Sequence, residues 1–304
     1  MFSGPSSTFP PPRRRRGLLL VLLLAVIAAG ASGWFLWRPT GDASSQATAP
    51  SPDGGAAKPV PSDTADGHGA GHGGPSPTGH SGLRGKTVVL DPGHNLRNRD
   101  HTAEIARQVD VGNARKECDT TGTATNGGYP EASFTLDVVR RARALLRQEG
   151  VKVVLTHDDD RPWGPCVDER AERGNAAHAD AAVSVHADGA GAGERGFHVI
   201  LPARVVAGKA DTSAIVAPSR TLGTGLVKRF AAATGSEPAD YINHGSGLDV
   251  RSDLGGLNLS KVPKVFIECG NMRDAQDAAQ LTEAQWRQKA ARGIAEGITD
   301  FLEH

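Results

Sequence analysis

Apolar positions along the chain fall into three regimes. Residues 17–37 (GLLLVLLLAVIAAGASGWFLW) run for 21 positions without a charge. As a helix that run is about 30 Å long, the hydrocarbon thickness of a bilayer. Residues 38–82 are the opposite: 10 Gly and 7 Pro, a single Val60, and no Leu, Ile, Phe, Tyr or Trp. Such a tract has no side chains with which to build a core. From residue 83 onward, short apolar runs alternate with stretches of helical spacing.

The runs KTVVL (86–90), VKVVLT (151–156), AAVSV (181–185), GFHVIL (196–201) and KVFI (264–267) read as strands. Between the first two, Phe134, Val138, Val139, Ala142, Leu145 and Leu146 recur at three- and four-residue intervals and share one helical face. Arginines 140, 141, 143 and 147 lie opposite, and Gly150 ends the helix. Further helices are predicted at 167–177, 219–233 and 283–302. This alternation predicts a single α/β domain over 83–304, a mostly parallel twisted sheet flanked by helices. Segments 95–130, 157–165 and 241–263 are expected to be irregular. The first of these is long for a connection without a task.

Four arginines, Arg13 to Arg16, precede the apolar run, and Trp34 and Trp37 close it. The positive-inside rule then puts residues 1–16 in the cytoplasm and everything after Trp37 outside. Two readings of 17–37 stay open. One is an uncleaved signal anchor in a single-pass membrane protein. The other is a cleavable signal peptide, with an apolar stretch from 18 to 29 followed by Ala29-Gly30-Ala31, and secretion from the cell. Either way 38–82 becomes an extracytoplasmic linker, spanning about 35 to 40 Å by random-coil statistics. His68, His72 and His80, set among its glycines, read as solvated.

Charge and cysteine content narrow the class. With 34 basic and 34 acidic residues the formal net charge is zero, which argues against a nucleic-acid partner. Of three cysteines, Cys118 and Cys166 lie in polar, loop-like contexts of an exported domain and are expected to pair, whereas Cys269 follows a strand and is expected to be buried and free.

Candidate chemistry collects at strand ends. The first strand runs into Asp91-Pro92-Gly93-His94, the third into His186-Ala187-Asp188, and the last into Glu268-Cys269-Gly270. Glu131 follows Pro130 at the start of a helix. Two histidines and a carboxylate, with one glutamate to spare, match the composition of a catalytic zinc site. The intervals of 37 and 55 residues between His94, Glu131 and His186 match no short metal motif. From the residues alone, hydrogen-bonded loop histidines and a helix-dipole glutamate remain open alternatives.

Four segments carry a resemblance: VVLDPGHN at 88–95, PEASFTLDVVRRARALLRQEGVKVVLT at 130–156, ERAERGNAAHADAAVSVHAD at 169–188 and KVFIECGNM at 264–272. In order and spacing they resemble the zinc-dependent N-acetylmuramoyl-L-alanine amidases of the amidase-3 family, in their actinobacterial form. The resemblance implies zinc ligands His94, Glu131 and His186, and Glu268 as the catalytic glutamate. It assigns Arg170 and Asn175 to a supporting helix. The implied activity is hydrolysis of the amide between N-acetylmuramic acid and the L-alanine of the stem peptide in peptidoglycan, by a monomer. A non-catalytic peptidoglycan-binding module and a zinc carboxypeptidase acting on stem peptides are the alternatives. One departure is visible: the family usually reads Glu-x-Gly-Phe where this chain reads Glu268-Cys269-Gly270-Asn271.

Overall fold

A computed structural model describes residues 81–304. The expectations for 1–16, for the 17–37 span and for the linker up to residue 80 lie outside the described residues. Among the described residues no helix is long and apolar enough to cross a membrane.

In chain order the elements are β1 (Thr87–Pro92), α1 (Thr102–Ile105), β2 (Gln108–Asp110), β3 (Arg115–Glu117), α2 (Glu131–Gln148), β4 (Lys152–Leu155), α3 (Val167–Ala176) and β5 (Ala181–Asp188). They continue as β6 (His198–Pro202), β7 (Val206–Ala207), β8 (Ala210–Asp211), α4 (Val216–Thr234), β9 (Leu248–Arg251), α5 (Gly255–Asn258), β10 (Lys264–Asn271), α6 (Ala275–Thr282) and α7 (Ala284–Leu302). Six strands form the main sheet in the order β4-β1-β5-β10-β6-β9. β4, β1, β5 and β10 are parallel, β6 pairs antiparallel with β10, and β9 runs parallel to β6.

The sheet is thus mostly parallel, as expected, with β6 and β9 running opposite to the other four strands. No helix occupies the nine residues between β5 and β6, so the chain reverses there instead of making the crossover that a parallel neighbour requires. Segment 95–130 is not wholly irregular, since it holds α1 and the β2–β3 hairpin. Segment 241–263 holds β9 and α5. β5 and β10 also run three and four residues past their expected ends of 185 and 267, which places His186 and Glu268 within strands.

Strand alternation separates core from site. Along β5, Val183, Val185 and Ala187 join the main core with Phe134, Val138 and Val139 of α2, Leu222, Leu226 and Phe230 of α4, and Ile294 of α7. Ser184 and His186 point to the opposite face. β10 repeats the division, with Val265, Ile267 and Cys269 in the core and Lys264, Phe266 and Glu268 across from them. Phe230 packs 4.8 Å from Phe197 and 6.0 Å from Trp286, ring centre to ring centre. Truncating so enclosed a ring to Ala costs about 3–5 kcal/mol. The helical spacing of α2 is realised as expected, and Gly150, at φ 91°, takes the left-handed turn that stops it.

Candidate metal centre

β1 delivers Asp91 and Pro92 to the edge of the sheet, and the chain then turns through Gly93 to His94, whose φ is 60°. Gly93 lies directly beneath the His186 imidazole, so a Cβ there would collide with the ring. Glu131 opens α2 immediately after Pro130. Its carboxylate accepts from the backbone N–H groups of Thr123 (2.9 Å) and Ala187 (3.2 Å), which fixes its direction. One oxygen lies 2.9 Å from His186 Nδ1 and the other 3.3 Å from His94 Nε2. Donor atoms of His94, Glu131 and His186 all fall within 4.8 Å of one another.

The remaining ring nitrogens are also held. His94 Nδ1 lies 3.1 Å from the Thr120 carbonyl oxygen and 3.4 Å from Asp119 Oδ1. His186 Nε2 faces Ser184 Oγ at 3.3 Å, and that hydroxyl donates to Asp91 at 2.6 Å. With the outer nitrogens protonated toward these acceptors, His94 Nε2 and His186 Nδ1 are left as lone-pair donors aimed at the shared space. Two imidazoles and a carboxylate in that arrangement fit a tetrahedral cation with one position left for solvent. Burial works against charge on His94, yet the Glu131 and Asp119 carboxylates outweigh it and push its pKa well up. The centre therefore draws positive charge, which a divalent ion would supply.

Beneath the pair of histidines sits a buried ionic group. Arg170 donates to Asp91 (2.6 Å), to Asp119 (2.9 Å) and to the Pro92 carbonyl (2.7 Å). Thr156 adds a bond to Asp91, and Lys264 Nζ lies 3.8 Å away. Burial pushes the Asp91 carboxyl up, but Arg170 and Lys264 overcome it and hold the group below the usual carboxylate range. Burial likewise pushes Asp119 up, and Arg170 and His94 outweigh it and hold the group below the usual carboxylate range. Cys118, next to Asp119, is disulfide-bonded to Cys166 at the head of α3, as expected, while Cys269 is free and buried. The bond ties the Asp119 segment to the helix that carries Arg170. Asn175 supports a different place, donating to the Leu259 carbonyl and accepting from the Lys261 N–H.

Glu268 lies opposite His186 in the β5–β10 register, and its Oε2 is buried with no hydrogen-bond partner among the described residues. Burial, then the Glu131 and Asp188 carboxylates, push its pKa well above the ordinary value. A carboxylate with one buried oxygen left unpartnered and a raised pKa has the properties of a general base. The Asn271 that replaces the usual Phe has a polar task here. Its side-chain amide donates to the carbonyls of Gly191 (3.0 Å) and Glu194 (2.6 Å), tying down the loop that follows β5.

Beside Ser184, the sequence reading missed three contributors. Asp119 is one; its only signal was its place beside a cysteine. Tyr241 is another, its hydroxyl donating to Asp188 at 2.9 Å. Gly122, at φ 71°, is the third: a Cβ there would come within 2.7 Å of His94 and 2.8 Å of Glu131. A cavity of about 470 Å³ leads from His94, His186 and Ser184 past Phe266 to Lys116 and Asp253.

Residues 88–300 match the profile of the N-acetylmuramoyl-L-alanine amidases. The chain belongs to that amidase family. It is 41% identical over 221 residues to the N-acetylmuramoyl-L-alanine amidase Rv3717 of Mycobacterium tuberculosis, a match that covers 72% of this chain and 88% of that protein. Two solved amidases superpose on it with a TM-score of 0.67: Ami1 of Mycobacterium smegmatis, 43% identical, and apo Ami1 of Mycobacterium abscessus, 44% identical. These matches cover 72% of this chain and 98% and 100% of those chains, respectively. The amidase kinship accounts for the sheet, its helices and the actinobacterial character of the motifs.

Proposed function

We propose that this amidase cleaves peptidoglycan between the lactyl group of N-acetylmuramic acid and the L-alanine of the stem peptide, with a zinc ion held by His94, Glu131 and His186 and with Glu268 as general base. The observation that carries this reading is the pairing of a converging His-Glu-His set with Glu268 on the neighbouring strand, whose Oε2 is buried without a hydrogen-bond partner among the described residues. When bound, the ion supplies a Lewis acid that acidifies water and polarises the scissile carbonyl. Glu268 takes the proton from the attacking water and returns it to the departing alanine nitrogen, so one residue serves as base and then as acid. Asp119 and Ser184 hold the two imidazoles in the tautomers that leave their inner nitrogens free.

All four groups come from one chain, which supports action as a monomer. The Cys118–Cys166 bond favours an oxidising compartment, in keeping with a domain carried outside the membrane by residues 17–37, whether that segment stays as an anchor or is cleaved. Mass spectrometry of purified peptidoglycan treated with the zinc-loaded protein tests the reaction. Intact stem peptides with a free L-alanine amine, alongside uncut glycan, are expected. Shortened stems indicate a peptidase, and no release a binding module.

A further inference from the structure

Glu268 stands between two histidines. In the β5–β10–β6 register it lies opposite His186 on one side and His198 on the other, a row that crosses three neighbouring strands. Val199 and Leu201 of β6 belong to the core, so strand alternation turns His198 to the face that carries His186 and Glu268. Residues directly opposed on antiparallel strands have Cβ atoms about 4.5–5.5 Å apart, within reach of an imidazole and a carboxylate.

His198 is 4% exposed, and its Nδ1 is buried with no hydrogen-bond partner among the described residues. Glu268 Oε2 is in the same condition. Buried polar atoms are nearly always paired, because an unpaired one has given up its water for nothing. Here two orphans belong to opposed residues on one face, and one can donate where the other accepts. Burial lowers the His198 pKa, so the ring is neutral. A neutral N–H aligns a carboxylate without the full counter-charge that would blunt it as a base. The ring is also braced: Tyr241 meets it edge to face, 6.2 Å between ring centres at 84°, and the Tyr241 hydroxyl donates to Asp188 at 2.9 Å. Asp188 is the last residue of β5, the strand that carries His186.

The geometry points to His198 as a positioning residue for the reaction: its Nδ1–H donates to Glu268 Oε2, directly or across one water, and leaves the other carboxylate oxygen free to take the proton of the attacking water. Tyr241, held by Asp188, keeps the imidazole in the plane that this bond needs. The inference rests on the amidase reading with Glu268 as base, and adds to it a residue that acts through Glu268.

The test measures kcat, KM and zinc content of the zinc-loaded protein acting on a soluble muropeptide. His198→Phe keeps an aromatic ring beside Tyr241 and removes the N–H. It should hold one zinc per chain and lose about 10- to 100-fold in kcat, with KM within about twofold of wild type. His198→Asn carries an amide N–H near the place of Nδ1 and should restore most of that loss, a rescue that a residue needed only for the fold would not show. Wild-type kcat in a folded His198→Phe, a loss carried by KM or by zinc, or a His198→Asn no faster than His198→Phe overturns the proposal. A crystal structure of the wild-type protein supplies a second arm that needs no variant to fold. In it, His198 Nδ1 and Glu268 Oε2 should be bonded to each other or to one shared water, and separate partners for the two atoms overturn the proposal. Failure of the wild type to cut the muropeptide, or undiminished release by Glu268→Gln, would instead count against the reading on which the proposal rests.

Discussion

The Arg170 guanidinium donates to Asp119 at 2.9 Å, and through that bond one buried cation supports both histidines of the centre. Asp119 faces His94 directly, while Asp91, the other carboxylate on Arg170, reaches His186 through the Ser184 hydroxyl. A group this buried is costly to break, because removing the cation takes the main counter-charge from two buried carboxylates.

Arg170→Met should therefore lower stability by about 3–5 kcal/mol at pH 7. The pH dependence carries a definite sign. Asp91 and Asp119 are depressed in the folded protein, so what they add is complete above the ordinary aspartate value of about 4 and is lost as pH falls below it. In the variant, burial without the cation raises both carboxyls, so the gap between wild type and variant should narrow between neutral pH and about pH 4. Urea unfolding at a series of pH values checks this; a constant gap would mean that the two aspartates do not depend on Arg170.

Gly122→Ala should weaken zinc binding by about tenfold or more while leaving the fold in place. The added methyl meets His94 and Glu131, and misdirected ligands lose affinity on that scale. Competition against a chelator measures it, and an unchanged affinity would mean that the loop yields without moving the ligands.

Replacing Cys118 and Cys166 with Ser should cost about 2–5 kcal/mol, since the bond closes a separation of 48 residues. It should also loosen zinc, because Asp119 is anchored next to Cys118. Calorimetry of the double variant with and without zinc separates the two effects, and a stability loss without any change in affinity would limit the disulfide to the fold.

How far the sequence could be read follows from which signals are local. The α2 face from Phe134 to Leu146 and the buried strands were legible because period and apolar content stay within one element. His94, Glu131 and His186 stood out as polar residues at strand ends and a helix start, and the fold brings them together. β9 was not legible: Leu248–Arg251 is a short edge strand with only two apolar residues, and its pairing with β6 is a tertiary fact. The reversal at β6 was hidden for the same reason, since periodicity is the same in either direction. Gly93 and Gly122 could be recognised as glycines but not as spacers against His186 and His94, because those approaches join residues far apart in the chain.

The most direct measurement of the central claim is made on two variants, Glu268→Gln and Glu131→Gln, with zinc content and stem-peptide release recorded for each. A general base replaced by its amide keeps its shape and loses its proton acceptor, which typically costs about 100- to 10,000-fold in rate. Glu268→Gln should retain one zinc per chain and release stem peptides at least about 100-fold more slowly, whereas Glu131→Gln should bind zinc more weakly, because a neutral amide is a poorer ligand than a carboxylate. Near wild-type release by Glu268→Gln, or zinc lost from that variant and kept by Glu131→Gln, would contradict the assignment of the two glutamates.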